Sequence, residues 1–422
     1  MFKIAQPASI IFGKHSAEEY SFPENCLIIT SKGAISRGWL EYLKINDCYV
    51  FDKVEPNPGI EIAENIISEF EKSKFSCIIG LGGGSSMDVA KFVASKMKKL
   101  KICIPTTFGS GSEVTRISVL KVNGNKKSFH DDSQIADVAI VDSHFIENSP
   151  PEIIKNSAID ATAQCSEGYD SKNGNPLTKF LCNQAFELLE EGILKMDREK
   201  IVLGSLISGL GFGNCSTTLG HALSYVFSNE GYSHGHALSF TTLYAHEFNS
   251  SKFYHRFSNI VKKLNFSKIN LKQDYNEAAE LILTDRKHLD NNPKQVSKQD
   301  VVSLLEKINT DNSILFLEDT DEYLYALERM LIQMKQSGMF KNIKGLIIGE
   351  MTDIHDQSIP FGKSTDEIIL DIFSGIDIPI ISNFPCGHGI FQATLPISIE
   401  AKLNSDLETP SLTLLDSPVV NE

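Results

Sequence analysis

The chain is short of basic charge. Lysine and arginine number 40 against 54 aspartates and glutamates, a formal net charge of −14. That balance argues against a nucleic-acid partner, because neutralising phosphates needs a basic surface. No apolar run is long enough to span a bilayer, so no membrane partner is expected. The N-terminus lacks the basic-then-apolar pattern of a secretory signal. The 8 cysteines are scattered singly with no C-x-x-C pair, and in a chain this long they read as reduced core residues. A cytoplasmic location is therefore expected. Internal repeats and low-complexity segments are also missing. What remains is 422 residues, 41% of them hydrophobic, which excludes global disorder and is enough for two or three domains with full cores.

The stretch from Cys77 to Lys91 organises the rest. Ile78 to Leu81 is a short apolar run that reads as a buried strand. Gly82, Gly83 and Gly84 follow, then Ser85 and Ser86, then a helical pattern through Met87, Ala90, Val93 and Ala94. Glycines let a backbone approach a ligand closely, and the free N–H groups at a helix start suit an anion such as a diphosphate. An ordinary capped strand-to-helix turn has the same appearance, with Ser85 or Ser86 as cap and Asp88 in the first turn.

Residues 1–150 alternate strand and helix signals. Leu27–Thr30 and Tyr49–Phe51 read as strands, Ile60 to Phe70 as a helix, and Lys101–Pro105 as a strand that ends in the Gly/Ser/Thr-rich run from Thr106 to Glu113. Such alternation implies a parallel sheet with ligands at the strand carboxyl ends, so one ligand could touch both glycine-rich turns. From Pro150 long helical patterns dominate to about Asn309, and Pro150-Pro151-Glu152 is a good helix entry. A third texture starts near Ser313. Ile314–Leu317 and Gly345–Gly349 are expected strands, Leu324 to Gln336 an expected helix, Pro379–Ile381 a strand, and Ala393 to Val419 alternates like sheet. The expected domains are 1–150, 151–309 and 310–422, with the last break near Asn309–Asn312.

Asp160 and Gln164 are four apart in a helical pattern and share a face. His221, His234 and His236 follow. A carboxylate and two imidazoles suit a divalent metal with open positions, although each histidine taken alone fits a core or surface role equally well. With these residues the chain resembles the iron-containing (group III) alcohol dehydrogenases. Gly82-Gly83-Gly84-Ser85-x-x-Asp88-x-Ala90-Lys91 is similar to that family's diphosphate motif, and Thr106-Thr107-x-Gly109-Ser110-Gly111-Ser112-Glu113 to its second motif. The resemblance covers residues 1 to about 308. It implies an α/β fold, a Rossmann-like nucleotide-binding domain followed by an all-helical metal-binding domain.

The implied cofactor contacts are Ser31, Gly83, Gly84, Ser85, Ser86, Asp88, Thr106, Thr107, Ser112 and Lys127. The implied metal ligands are Asp160, Gln164, His221 and His234, holding Fe2+ or Zn2+, with His236 outside the set. Gln164 stands where the family's commonest pattern has a histidine, so it is a weaker ligand. Tyr225 stands where many members carry a relay histidine, and is expected to take that catalytic place. Ser31 replaces an aspartate of NAD-preferring members, and with Lys32 and Arg37 nearby it favours NADPH at least as much as NADH. The implied activity is metal-assisted, NAD(P)-linked hydride transfer on a small aldehyde or alcohol. A homodimer is among the assemblies the resemblance allows.

The C-terminal segment resembles another family, the LD-carboxypeptidases, which use a Ser-Glu-His triad. Leu315–Asp319, Gly345–Gly349, Pro360-Phe361-Gly362 and Pro385-Cys386-Gly387-His388-Gly389 carry the likeness, and Glu318 and His388 fall on the acid and base. The nucleophile's G-x-S-D turn is missing. The segment is thus expected to be a partial α/β domain, a serine-peptidase-derived module inactive without its nucleophile.

Overall fold

The computed structural model describes residues 1–310, 313–341, 343–389, 392–397, 399, 401–406 and 408–415. The chain divides into two compact units, Met1–Lys268 with Glu280–Val296, and Ile269–Ala279 with Ser297–Glu422.

The first unit is built on eight strands: β1 (Ser9–Phe12), β2 (Cys26–Ile29), β3 (Cys48–Phe51), β4 (Cys77–Gly82), β5 (Leu100–Pro105), β6 (Ile117–Val122), β7 (Asn125–His130) and β8 (Val138–Val141). Six of them form a parallel sheet in the order β1-β8-β5-β4-β2-β3. Both faces of that sheet are covered. Ile28, Ile79 and Leu81 belong to one apolar cluster, and Leu27, Ile29 and Ile78 to another on the opposite side. Burial on both faces is why these strands read as continuous apolar runs rather than alternating ones. The expected helix at Ile60–Phe70 is present with those bounds. Strands β6 and β7, for which the sequence reading had no strand, pair antiparallel as a hairpin.

After Pro150 the first unit is helical. Pro151 opens the helix Pro151–Asp170 at a position where its missing N–H costs nothing. The helices Pro176–Lys195, Arg198–Phe212, Leu219–Asn229, His234–Asn249 and Tyr254–Leu264 follow, and the short helix Arg286–Asn291 completes the unit. The α/β layer and the helical layer thus appear in the expected order.

The second unit has three parallel strands, β9 (Ile314–Leu317), β10 (Gly345–Ile348) and β11 (Ile380–Ile381), in the order β11-β10-β9. The helices Leu324–Gln336 and Thr365–Phe373 bury Leu327, Leu331, Ile368 and Ile372 with Leu346 and Ile348. β12 (Ala401–Asn404) and β13 (Ser411–Leu414) form an antiparallel pair in the tail, and residues 416–419 of the expected sheet-like stretch lie outside the described residues. The expected break near Asn309–Asn312 falls within this unit, because the helix Lys298–Thr310 belongs to it. The Asn309 side chain accepts from the Leu271 N–H at 2.7 Å, which ties residues 269–279 to the same unit. Asp311 and Asn312 themselves lie outside the described residues.

Candidate active site and metal centre

The site starts at two adjacent strand ends. β4 and β5 run side by side with Gly82 opposite Pro105, so the turns that leave them lie together. The first turn enters the helix Gly84–Met97, whose free N–H groups face outward from the sheet edge. The second turn folds across it. A Cβ placed on Gly84 would lie 2.9 Å from Ser110 Oγ, so a side chain there would have to push Ser110 aside. Gly111, at φ +60, sets the second turn against Gly209. Gly109 lies against the Ser157 backbone, where a Cβ would come 2.7 Å from its carbonyl oxygen, one turn ahead of Asp160.

An open cleft of about 370 Å³ runs from these turns to the helical layer. Gly84, Ser85, Asp88, Thr107 and Ser112 line it at one end, and Asp160, Gln164, His221, Tyr225 and His234 at the other. Gly83, Ser86 and Thr106 support the turns from outside the lining, with Ser86 N–H and Thr106 N–H donating to Gly83 O and Gly82 O. Ser31 caps the helix Lys32–Ser36 at the end of β2, the strand next to β4. Lys127 lies on the other face of β7 from the cleft, with its ammonium 5.6 Å from the Phe129 ring, and Lys126 lines the cleft in its place. A strand alternates faces, so a one-residue difference in register moves the contact to the neighbour.

Asp88 is a clasp. It accepts from Ser112 Oγ at 2.5 Å and from the Val119 N–H at 2.9 Å, joining the helix start, the second turn and β6. Lys91, fully buried, donates to the carbonyls of Ser112, Thr115 and Ile117.

At the helical end one donor atom each from Asp160, His221 and His234 lies within 4.8 Å of the others. His221 Nε2 and His234 Nε2 are both 3.9 Å from Asp160 Oδ1. The Gln164 amide donates to Asp160 Oδ1 at 2.9 Å, while its carbonyl oxygen is buried with no partner, as is His234 Nδ1. An orphaned buried carbonyl oxygen beside a carboxylate and two imidazoles makes a donor set that fits a divalent cation. Burial raises the Asp160 pKa to about 6, against the opposing pull of His221 and Lys126. Burial, with His221 beside it, holds His234 low, so that imidazole is neutral and free to donate its lone pair. His236 points elsewhere: its Nε2 meets Ser267 O at 2.5 Å and its ring stacks on Phe266.

Two neighbours escaped the sequence reading. Glu167, at 1% exposure, bonds His221 Nδ1 and also accepts from Gly220 N–H at 2.5 Å and Thr218 Oγ1 at 3.2 Å. Burial alone would raise its pKa, but His221 alongside keeps it lowered, so it stays a carboxylate that fixes the ring with Nε2 toward Asp160. Its place, one further turn along the Asp160–Gln164 face, was the available signal. His288 also lines the cleft. Its ring stacks on His221 at 6.1 Å, and its Nδ1 meets Asp285 Oδ2 at 2.6 Å. The Asp285-x-x-His288 capping spacing was its only local mark. Tyr225 stacks on His234 with centroids 6.3 Å apart, and burial raises its pKa so that the phenol keeps its proton.

In the second unit Glu318 and His388 do meet, Oε1 to Nδ1, with the His388 side chain 62% exposed. Among the described residues no hydroxyl is bonded to His388. Ser364 is held in a capping box with Glu367.

A parallel nucleotide-binding-type sheet joined to a helical layer with a metal-donor cluster defines the class: a Rossmann-like α/β protein with a helical donor domain. Residues 7–143 match the family model of iron-containing alcohol dehydrogenases, and residues 154–284 the model of that family's C-terminal region. Residues 7–284 belong to the iron-containing alcohol dehydrogenase family, and residues 299–403 match the LD-carboxypeptidase C-terminal domain. Long-chain-alcohol dehydrogenase 1 of Geobacillus thermodenitrificans is 34% identical over 206 residues, which is 42% of this chain and 52% of that protein. The 4-hydroxybutyrate dehydrogenase of Clostridium kluyveri is 34% identical over 218 residues, 44% of this chain and 59% of that one. The chain thus spans little more than half the length of these curated relatives. The iron-containing alcohol dehydrogenase structure from Thermotoga maritima shares the fold, with a TM-score of 0.67 at 24% identity over 73% of this chain and 99% of that one. Among the described residues no helix is long and apolar enough to cross a membrane.

Proposed function

We propose that the first unit is a metal-dependent, NAD(P)-linked alcohol dehydrogenase or aldehyde reductase. One observation carries the reading: the Asp160–His221–His234 cluster and the glycine-rich helix start at Gly84 lie at two ends of one cleft. When bound, a divalent metal polarises a carbonyl oxygen and a nicotinamide supplies the hydride. Asp160, His221 and His234 would hold the metal, with the Gln164 carbonyl oxygen as a weaker fourth donor and Glu167 orienting His221. The N–H groups of Gly84 and Ser85 would hold the diphosphate, with Thr107 and Ser112 beside it. Reduction of an aldehyde also takes up one proton. Tyr225 lines the cleft and keeps its O–H, which supports it as the group that would supply that proton to the substrate oxygen.

Lys32 and Arg37 flank Ser31 at the end of β2, and no carboxylate stands at that position to repel a 2′-phosphate. This supports use of NADPH at least as readily as NADH. The 8 free thiols support the expected reducing, cytoplasmic setting. The second unit is read as a non-catalytic appendage, because a Glu–His pair without an adjacent hydroxyl has nothing to activate. The test of the main reading is metal analysis of the purified protein with a screen of aldehydes against NADH and NADPH. Bound iron or zinc with aldehyde-dependent oxidation of either cofactor is expected. Absence of both metal binding and cofactor oxidation would refute it.

A further inference from the structure

The charge of the cleft runs opposite to that of the chain. The protein carries a formal net charge of −14, yet Lys121, Lys126 and Lys287 all line the cleft, against only Asp88 and Asp160. Asp88 is already occupied by Ser112 Oγ, the Val119 N–H and nearby Lys91. Asp160 belongs to the metal-donor cluster. Among the described residues, none of the three lysines makes an ion pair with a carboxylate. Lys287 donates instead to His130 Nε2 at 2.6 Å. Desolvation, with Lys287 adjacent, pushes His130 down to about 4, so it is the neutral acceptor of that bond.

Lys287 directly precedes His288, whose ring stacks on His221. Lys126 is close enough to Asp160 for the two charges to favour one another. Lys126 and Lys287 are therefore tied to the metal-donor end of the cleft. Water reaches Lys287, and the protein packed around its ammonium lowers its pKa to about 8, which leaves it charged at neutral pH. A partly desolvated ammonium with no carboxylate in ion-pair contact, only the longer-range pull of Asp285, gains from an anion that can meet it directly.

We propose that the site selects short aldehydes bearing an anionic group at the end away from the carbonyl, and that Lys287 receives that anion. This rests on the aldehyde-reductase reading above. The shared chemistry is a carboxylate, sulfonate or phosphonate within reach of the metal-donor cluster. Lys287 is a specificity determinant that touches substrate and takes no part in the hydride step.

The experiment uses the full chain loaded with iron(II) and compares butanal with 4-oxobutanoate, sulfoacetaldehyde and phosphonoacetaldehyde. At least one anionic aldehyde is expected to exceed butanal in kcat/KM by about tenfold or more, as a charge-assisted hydrogen bond provides. Lys287→Gln is expected to cut that preference ratio by about tenfold to hundredfold, with the loss in KM rather than kcat. The three anions tell the carboxylate, sulfonate and phosphonate sources apart. A ratio near one in the unmodified protein, or an undiminished ratio in Lys287→Gln, overturns the proposal. If none of the four aldehydes is reduced and no metal is bound, the hydride-transfer reading fails, and in either case calorimetric titration with butyrate and ethylphosphonate still decides the anion site. Binding weakened in Lys287→Gln supports it, whereas no binding, or equal binding to both proteins, refutes it.

Discussion

The Glu167–His221 pair of the first unit and the Glu318–His388 pair of the second are built differently. Glu167 and His221 are sealed, with side chains 1% and 6% exposed. Glu318 and His388 lie open, at 18% and 62%. In the first pair the carboxylate also accepts from Gly220 and Thr218, and the far ring nitrogen faces Asp160. In the second, the histidine bonds the acid and, among the described residues, no hydroxyl follows. The same contact therefore supports a donor set in one place and stands without a reacting partner in the other. A Glu–His pair acquires its chemistry from the third group it addresses.

The comparison breaks first at the donors themselves. Asp160→Ala should lower kcat/KM for aldehyde reduction by about a hundredfold to ten-thousandfold, since several kcal/mol of charge stabilisation are lost with the metal. Steady-state kinetics on the metal-reconstituted variant would check it, and near-normal activity would remove Asp160 from the site. The buried pair comes next. Glu167→Gln should weaken metal affinity by about tenfold to hundredfold, because the His221 ring loses the charge that orients it. Glu318→Gln should leave metal affinity as it was, and competition with a metal-binding dye would measure both. A smaller change is expected at the cofactor end, where Ser31→Asp should shift preference from NADPH toward NADH by charge repulsion and a new ribose hydrogen bond. A strong NADH preference before substitution would count against this. The smallest effect is the absence of one: an LD-linked muropeptide incubated with the protein should keep its terminal D-alanine by mass spectrometry. Release that disappears in His388→Ala would make the second pair a working site.

The sequence made the framework readable where physics is local. Apolar runs marked β4, β9 and β10, the first and last of them ending in glycine, and helical spacing marked Ile60–Phe70 and Leu324–Gln336 with the bounds they have in the structure. The donors Asp160, His221 and His234 are far apart along the chain and became readable only through the family likeness. Glu167 and His288 carried only weak local marks, because their roles arise when the helices Pro151–Asp170, Leu219–Asn229 and Arg286–Asn291 come together. Lys126 lines the cleft and Lys127 does not, because neighbours on a strand face opposite sides. The end of the first unit was misjudged because the helix Lys298–Thr310 has the same apolar spacing as the helices before it, and spacing does not say which core a helix joins.

The account stands or falls on which histidine holds the metal. The direct measurement is metal content by mass spectrometry after reconstitution with iron(II) or zinc(II) and gel filtration, for the unmodified protein, His234→Ala and His236→Ala. About one metal per chain is expected in the unmodified protein and in His236→Ala, and close to none in His234→Ala, because three donors would be reduced to two. Full occupancy in His234→Ala, or its loss in His236→Ala alone, would contradict the assignment.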